Sequence, residues 1–306
     1  MKRLFALMLA LVILCGCFAG CSGKKKYTFT DDLGRSVTVR EPQRVAALLG
    51  SFAQVWHLAG GTLLAASNDA FKEFKLPLND QCVNLGSTKQ LSLELLLQIQ
   101  PDFVIASANS SQHLQWQSAL EEAKIPVAYF DVMQYEDYLR MLKICTDITG
   151  CTDNYAIYGT SQQAIINEVR GKVPDAGGPR VLVLRASDKA VRIKGSDSTV
   201  LSVILQEMRY NNVLDEENGL SDGDVVTMDD VVALDPDFIF VIPSGDKEIQ
   251  MQEFLHENFG TDPRWLSLTA VVNGRAHMVD KKLFQFKPND AWAEAYLAVE
   301  KYLFVE

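Results

Sequence analysis

Short apolar runs alternate with amphipathic segments along most of the chain. Runs typical of buried strands cover residues 44–49, 63–66, 103–106, 127–130, 181–184 and 276–279. Segments with apolar residues at helical spacing, such as residues 52–59 and 199–208, lie between them. Strands that alternate with helices in this way predict parallel sheets covered by helices.

One helix–strand unit occurs twice. Residues 92–105 read SLELLLQIQPDFVI, and residues 227–240 read TMDDVVALDPDFIF. In each copy a hydroxyl residue is followed two positions later by a carboxylate, which stands seven positions before the Pro-Asp-Phe sequence. A unit that is used twice predicts two similar lobes with a cleft between them.

The segment between the two copies predicts how the lobes are joined. Residues 154–170 form the longest stretch without turn signals, and the sequence PDAGGP at 174–179 ends it. A single helical connection would resist wide hinge closure. The predicted organisation is an N-terminal α/β lobe at 27–150, a connecting helix at 151–175 and a C-terminal α/β lobe at 176–306.

The first residues are typical of an export signal. Lys2 and Arg3 precede an apolar run that ends at Phe18, which is shorter than the roughly 20 residues of a membrane-spanning helix. The sequence FAGCSGK around Cys21 resembles the cleavage box of bacterial lipoproteins, in which the cysteine becomes the lipidated N-terminus. We therefore expect a signal peptide at 1–20, lipidation of Cys21 and a tether at 21–26, with Cys17 as the alternative lipidation site.

The net charge and the cysteine content exclude some classes of protein. The chain has 29 Lys and Arg residues against 39 Asp and Glu residues, and loss of the signal peptide would change the net charge from −10 to −12. Such an acidic protein is a poor candidate for nucleic-acid binding. Beyond the signal region only Cys82, Cys145 and Cys151 remain, too few for a disulfide framework. We expect Cys145 to be a buried free thiol, with a Cys145–Cys151 disulfide as the alternative.

No catalytic or metal-binding motif is present in the sequence. It contains no Gly-x-Ser-x-Gly elbow, no phosphate loop and no His-Glu-x-x-His, so we expect a protein that is not an enzyme and needs no cofactor. The histidines lack a second ligand at metal spacing, so we predict no metal site. His113 stays open as a single axial ligand to a bound haem or cobalamin.

Several of these features together resemble a known family. They are the cleavage box, the sequence DLGRSVTV at 32–39, the sequence PQRVA at 42–46 and the repeated unit. Over essentially the whole mature chain they resemble the solute-binding lipoproteins of ABC importers for ferric siderophores, haem and cobalamin. The resemblance implies two Rossmann-like lobes with parallel-type sheets joined by a single long α-helix, the class III solute-binding fold. It also implies a shallow ligand cleft and delivery to a permease dimer with its ATPase.

The resemblance also suggests a role for the repeated carboxylates. Glu94 and Asp229 resemble the docking groups that meet arginines on the paired permease subunits, where charge-assisted pairing is strong. Asp230 is an alternative to Asp229 in the second lobe. Both units also predict helix N-termini capped by Ser92 and Thr227, where carboxylates are favoured even without a partner.

The loops beyond the carboxyl ends of parallel strands are where such folds contact ligands. Aromatic residues there would stack on a flat ligand, and Arg185, Lys194 and Lys287 would meet its carboxylates or catecholates. The predicted ligand contacts are Ser51, Phe52, Asn68, Phe71, Lys89, Asn109, Arg185, Lys194, Phe286, Lys287 and Trp292.

We therefore expect a monomeric binding protein, held by its N-terminal lipid on the extracytoplasmic face of the cell membrane. Its expected ligand is an iron complex or a corrinoid, with a ferric siderophore first and haem and cobalamin next. The alternatives are a surface receptor that scavenges or senses such ligands without a permease, and a secreted enzyme.

Overall fold

The computed structural model describes residues 25–173 and 178–304. The predicted signal peptide, Cys17, Cys21 and most of the tether lie outside these residues, as does the end of the predicted connecting helix. Within the two described ranges, no helix has the length and apolar character needed to span a membrane.

The N-terminal lobe is a hairpin followed by alternating strands and helices. Its strands are β1 (Lys26–Thr30), β2 (Ser36–Arg40), β3 (Val45–Ala47), β4 (Ala65–Ala66), β5 (Val83–Asn84), β6 (Gly86–Ser87), β7 (Gln90–Leu91), β8 (Phe103–Ser107) and β9 (Val127–Phe130). Its helices are α1 (Gly50–Leu58), α2 (Asn68–Lys72), α3 (Leu93–Gln98), α4 (Ser111–Gln115), α5 (Gln117–Glu122) and α6 (Tyr135–Thr149). Five strands form one sheet in the order β5-β4-β3-β8-β9, and every pair is parallel, as predicted.

The connection between the lobes is helical but irregular. After Gly150, whose left-handed φ of 81° ends α6, the chain forms a π-helix (Tyr155–Gly159), a 3₁₀ turn (Thr160–Gln162) and α7 (Gln163–Gly171). The hydroxyls of Tyr135 and Tyr138 on α6 donate to the carbonyls of Gly159 and Tyr158, at 2.9 Å each. These hydrogen bonds from α6 give carbonyls of the irregular turn a partner outside their own helix. The connection is therefore helical, but it is not the regular α-helix that we predicted. The boundaries at 151 and 175 stay a prediction.

The C-terminal lobe repeats the α/β pattern. Its strands are β10 (Arg180–Ala186), β11 (Val191–Lys194), β12 (Asn211–Asn212), β13 (Phe238–Pro243) and β14 (Ala276–Met278). Its helices are α8 (Val200–Glu207), α9 (Met228–Leu234), α10 (Glu248–Leu255), α11 (Thr269–Val272), α12 (Lys281–Phe284) and α13 (Trp292–Phe304). Shorter turns are 3₁₀ at Val213–Asp215, Pro263–Ser267 and Asn289–Ala291, and π at His256–Gly260.

The C-terminal sheet is mixed rather than wholly parallel. Its order is β11-β10-β13-β14, and β12 also pairs with β10. All pairs are parallel except β10–β11, in which Ala186 lies opposite Val191. Only residues 187–190 join these two strands, and a parallel connection needs about a dozen residues or more, so the pair can only be a hairpin.

Both copies of the repeated unit fold in the same way. In the first, the Asp102 carboxylate accepts from the backbone N–H of Gln43 (2.9 Å) and of Arg44 (2.8 Å). The Arg44 guanidinium donates to the carbonyl of Gln100 at 3.1 Å, at the end of the repeat helix. The Pro-Asp-Phe sequence therefore joins the repeat helix to the neighbouring strand β3.

In the second copy, Asp237 and Arg180 take the places of Asp102 and Arg44. The Asp237 carboxylate accepts from the backbone N–H of Arg180 at 2.8 Å, at the start of β10. The Arg180 guanidinium donates to the carbonyls of Leu234 (2.9 Å) and Asp235 (3.1 Å). Asp235, like Gln100 in the first copy, is left-handed, with φ of 32° and 47° respectively. An arginine in each lobe is therefore part of the repeat although it lies outside the repeated sequence.

One apolar core runs through both lobes. Side chains on one face of β8, including Phe103 and Ile105, belong to it, and so do Val181 and Val183 of β10. Ile166 of α7 and other residues of α7 and α13 join the two halves of this core. Wide separation of the lobes would therefore expose apolar surface, which agrees with the limited hinge motion expected from the sequence.

Candidate ligand-binding cleft

Contacts between the two lobes include three near the ends of the sheet strands. Glu73, just after α2, accepts from the Lys281 ammonium at 3.2 Å, and the Phe74 and Phe286 rings meet edge-on at 5.3 Å between centroids. Near β9, the Lys287 ammonium lies 3.0 Å from the sulfur of Met133. These residues follow the carboxyl ends of β4, β9 and β14, so the cleft lies at the edges where ligands bind in parallel-sheet folds.

Two cavities lie along this cleft. One of about 290 Å³ has Asn68, Ser87 and Lys89 on the N-terminal side and Ser244 and Phe286 on the C-terminal side. A neighbouring cavity of about 300 Å³ is also lined by Phe286, together with Lys287. The structure therefore brings four of the predicted contact residues to cavities between the lobes, namely Asn68, Lys89, Phe286 and Lys287.

Lys287 and Arg185 are cations held in low-dielectric surroundings. Burial lowers the pKa of Lys287, Asp131 opposes this shift, Arg185 adds to it and Asp137 opposes it, with a net pKa of about 8. Burial likewise lowers the pKa of Arg185, with a smaller opposing effect from Asp222. The Nε of Arg185 is buried without a hydrogen-bond partner in the part of the chain that the structure describes. A desolvated cation without a bonded carboxylate is suited to an anionic ligand.

Lys194 does not share this position, and its contact with the ligand stays a prediction. Its ammonium is buried and pairs with Asp222 at 2.6 Å. Because β11 is antiparallel, Lys194 lies opposite Val183 in the middle of β10, away from the carboxyl edge that the prediction assumed.

Two of the predicted aromatic contacts are buried in the structure, and their contact with a ligand also stays a prediction. Phe52 is 1% exposed and packs edge-on against Phe130, with ring centroids 6.3 Å apart. Trp292 is fully buried at the start of α13, where its ring meets Tyr135 at 6.3 Å. Both side chains belong to the shared core, because each helix turns its apolar face inward at that point.

The remaining predicted contacts stay predictions. The Asn109 amide donates to Asp131 at 2.5 Å beside β9, and Asn68 accepts from Asn84 at 2.9 Å. Ser51 is buried, and its carbonyl accepts from Asn289. Phe71 is half-buried and packs against the core.

The sequence did not single out Asp131, Met133 or the Glu73–Lys281 pair. Asp131 and Met133 directly follow β9, so the same strand-end rule would have found them. The Glu73–Lys281 pair joins positions 208 residues apart, and no local signal reveals it.

His113 is not available as an axial ligand. It is 1% exposed, and its Nδ1 accepts from the backbone N–H of Ser107 at 3.0 Å inside the N-terminal lobe. Burial lowers its pKa to about 4, so the imidazole is neutral at neutral pH. Among the residues that the structure describes, no three His, Cys, Asp or Glu side chains converge as a metal site would need.

Cys145 is a buried free thiol in the structure, and Cys151 is exposed and also free. Burial raises the pKa of the Cys145 thiol well above its ordinary value. The disulfide alternative is therefore absent from the conformation described here.

The repeated carboxylates are on the surface. Glu94 is exposed in the first turn of α3, where Ser92 Oγ accepts from the backbone N–H of Leu95 at 3.1 Å. The Asp229 side chain is 81% exposed. Asp230, the alternative, accepts from the backbone N–H of Thr227 at 2.7 Å in a capping box and is committed to the helix.

An apolar cavity of about 240 Å³ also lies within the C-terminal lobe, bordered by Leu184, Phe259 and Trp265. It has little polar lining and includes neither Arg185 nor Lys287. The cleft between the lobes is therefore the better candidate for a ligand that needs charge recognition.

Two lobes, an irregular helical connection and a cleft at the sheet edges define a two-lobed binding protein. The chain belongs to the periplasmic binding protein family, whose model matches residues 45–283. This is a family of binding proteins rather than enzymes.

Individual relatives are distant but match along nearly the whole chain. The Fe(3+)-citrate-binding protein YfmC of Bacillus subtilis (strain 168) is 20% identical over 295 residues, covering 92% of this chain and 90% of the relative. The crystal structure of the petrobactin-binding protein YclQ from Bacillus subtilis superposes with a TM-score of 0.71 at 18% identity, covering 92% of this chain and 100% of the other. IsdE of S. aureus, complexed with heme, gives a TM-score of 0.68 at 11% identity, covering 86% and 99%.

Proposed function

We propose that this protein is the substrate-binding component of an ABC importer and that it captures an anionic iron complex in the cleft between its lobes. The ligands that the names of similar proteins state include ferric citrate, petrobactin, heme and a ferric complex of acinetobactin. Ferric citrate, petrobactin and heme carry carboxylate groups, which suit a cationic cleft.

The observation that carries this proposal is the pair of desolvated cations, Arg185 and Lys287. Each has a pKa lowered by burial, and neither forms an ion pair with a carboxylate within the described residues. Folding around unpaired cations costs free energy, and an anionic ligand would recover it. Cobalamin, which lacks carboxylates of this kind, fits less well than a ferric complex or haem.

The proposal also covers the location of the protein and its partners in transport. The N-terminal lipid at Cys21 would hold it on the extracytoplasmic face of the membrane. Glu94 and Asp229, one on each lobe, would meet arginines of the permease dimer, and the ATPase would then drive import. A scavenging receptor without a permease would not need a carboxylate at both positions.

A panel titration tests the proposal. The purified mature protein is titrated with ferric citrate, a ferric tris-catecholate, a ferric hydroxamate, haem and cobalamin, while tryptophan fluorescence and the visible spectrum are recorded. We expect saturable 1:1 binding of at least one anionic ferric complex or haem, and weak binding of metal-free citrate. Tight binding of free divalent metal with no binding of any complex would overturn the proposal.

A further inference from the structure

The two docking carboxylates proposed above differ in their surroundings. Glu94 is exposed on α3, whereas the shorter Asp229 lies beside Arg264 of the 3₁₀ turn at Pro263–Ser267. The Arg264 Nη1 donates to Asp229 Oδ1 at 2.6 Å.

Arg264 is itself held in place by Asp262. Its Nη2 lies 2.7 Å from Asp262 Oδ2 and its Nε lies 3.0 Å from Asp262 Oδ1, a two-pronged geometry that fixes the plane of the guanidinium. The same carboxylate accepts from the backbone N–H of Arg264 at 2.9 Å, which caps the 3₁₀ turn. The Arg264 side chain therefore presents Nη1 to Asp229 from a fixed position.

The rest of Asp229 remains open to a partner. Its side chain is 81% exposed, and a carboxylate that accepts one hydrogen bond keeps acceptor sites on both oxygens. Asp230 cannot replace it, because its carboxylate serves the capping box of α9.

The side chains of this cluster leave part of its negative charge uncompensated. The carboxylates of Asp229 and Asp262 and the guanidinium of Arg264 together carry one net negative charge, as Glu94 does alone on the other lobe. The capping carboxylate of Asp230 adds a further negative charge beside Asp229.

We propose that Arg264 is a positioning residue for docking: held by Asp262, it fixes the short Asp229 carboxylate in the orientation that meets an arginine of the permease. This inference rests on the docking role proposed above. An Asp side chain is one methylene shorter than Glu, so its reach depends more on its orientation. Arg264 supplies that orientation from a neighbouring element.

Docking affinity can be measured directly on the permease. The mature protein is immobilised, and nanodiscs that carry the permease–ATPase complex of the source organism flow over it in a biolayer experiment. The informative variant is Asp262→Asn with Arg264→Ala, because it removes the positioning pair and leaves the net charge at one negative. Arg264→Lys keeps the charge, and Arg40→Ala is a matched control that removes an exposed arginine of the other lobe.

We expect the charge-balanced double variant to lower the affinity about three- to fivefold, the range of a well-formed exposed ion pair. Asp229→Ala should lower it at least as much, Arg264→Lys should retain part of the wild-type affinity, and Arg40→Ala should not change it. Equal thermal melting of the variants excludes a folding effect.

Docking of the double variant as tight as, or tighter than, that of the wild type would overturn the positioning role, because Arg264 would then be neutral or a competitor. If Asp229→Ala also docks normally, the docking role of Asp229 is itself wrong. The second result separates a failure of the proposed function from a failure of this inference alone.

Discussion

Lys287 and Met133 face each other across the cleft, with the ammonium nitrogen 3.0 Å from the thioether sulfur. A thioether is a weak acceptor, so this contact does not satisfy a buried ammonium. Lys287 is therefore a weakly satisfied donor between the lobes, and it is the residue through which the ligand hypothesis can be tested most sharply.

Replacing Lys287 by methionine keeps an unbranched side chain that is one heavy atom shorter, and it removes the charge. We expect Lys287→Met to weaken the binding of ferric citrate about 10- to 100-fold, because a charge-assisted hydrogen bond in a desolvated site is lost. Titration by tryptophan fluorescence measures the change. Lys301→Met, at an exposed lysine of α13 away from the cleft, is the control and should bind as the wild type does. Equal affinity of the Lys287 and Lys301 variants would remove Lys287 from the site.

The affinity for an anionic complex should also depend on pH through Lys287. Its pKa is about 8 in the free protein, and a bound anion would raise it, so binding takes up a proton once the free lysine is neutral. The affinity should therefore fall as pH rises from about 8 towards the higher pKa of the complex.

Ferric complexes themselves change with pH, so the informative quantity is the ratio of the wild-type affinity to that of Lys287→Met. Speciation of the ligand affects both proteins equally. We expect this ratio to decrease between pH 7 and pH 9.5. A constant ratio would show that Lys287 does not titrate in contact with the ligand.

The hydrogen bonds that Asp102 accepts from the backbone N–H groups of Gln43 and Arg44 should stabilise the N-terminal lobe. Asp102→Ala leaves two backbone N–H groups without their acceptor, and we expect a loss of about 1–3 kcal/mol in the free energy of unfolding. Urea denaturation measures it. Asp80→Ala, at an exposed loop carboxylate, should change the stability by less than about 0.5 kcal/mol.

His113 should make the stability of the protein sensitive to acid. Its pKa is lowered to about 4 in the folded protein, so the unfolded chain binds a proton more readily. The contribution of neutral His113 to the free energy of unfolding is therefore fully present above about pH 6.5. It decreases as the pH falls towards 4, by up to about 1.4 kcal/mol per pH unit. Urea curves at pH 7 and pH 4.5 should show a smaller pH effect in His113→Asn than in the wild type. An identical pH effect in both proteins would assign the acid sensitivity to other groups.

Most of the fold could be predicted from the sequence because local pattern and tertiary environment agree. The apolar runs at β3, β8, β9 and β10 are buried on both faces, as parallel strands require. The connecting segment deviates because its irregular turn depends on hydroxyls of Tyr135 and Tyr138 in another helix, which no local pattern reports.

The site was less predictable, for a related reason. A rule about the carboxyl ends of parallel strands selects Arg185 and Lys287, but it does not apply to Lys194, because β11 runs antiparallel to β10. The rule also cannot distinguish an aromatic side chain exposed in a loop from one in the first turn of the following helix that points into the core. Phe52 and Trp292 are such residues, and both pack into the core.

The central claim is that Arg185 and Lys287 together hold an anionic iron complex in the cleft. The most direct measurement is a calorimetric titration of the wild type and of the Arg185→Ala, Lys287→Met double variant with whichever of ferric citrate, a ferric tris-catecholate and haem the wild type binds. We predict 1:1 binding to the wild type and no measurable heat of binding with the double variant, while its melting temperature stays at or above that of the wild type. Unchanged affinity in a folded double variant would contradict the account.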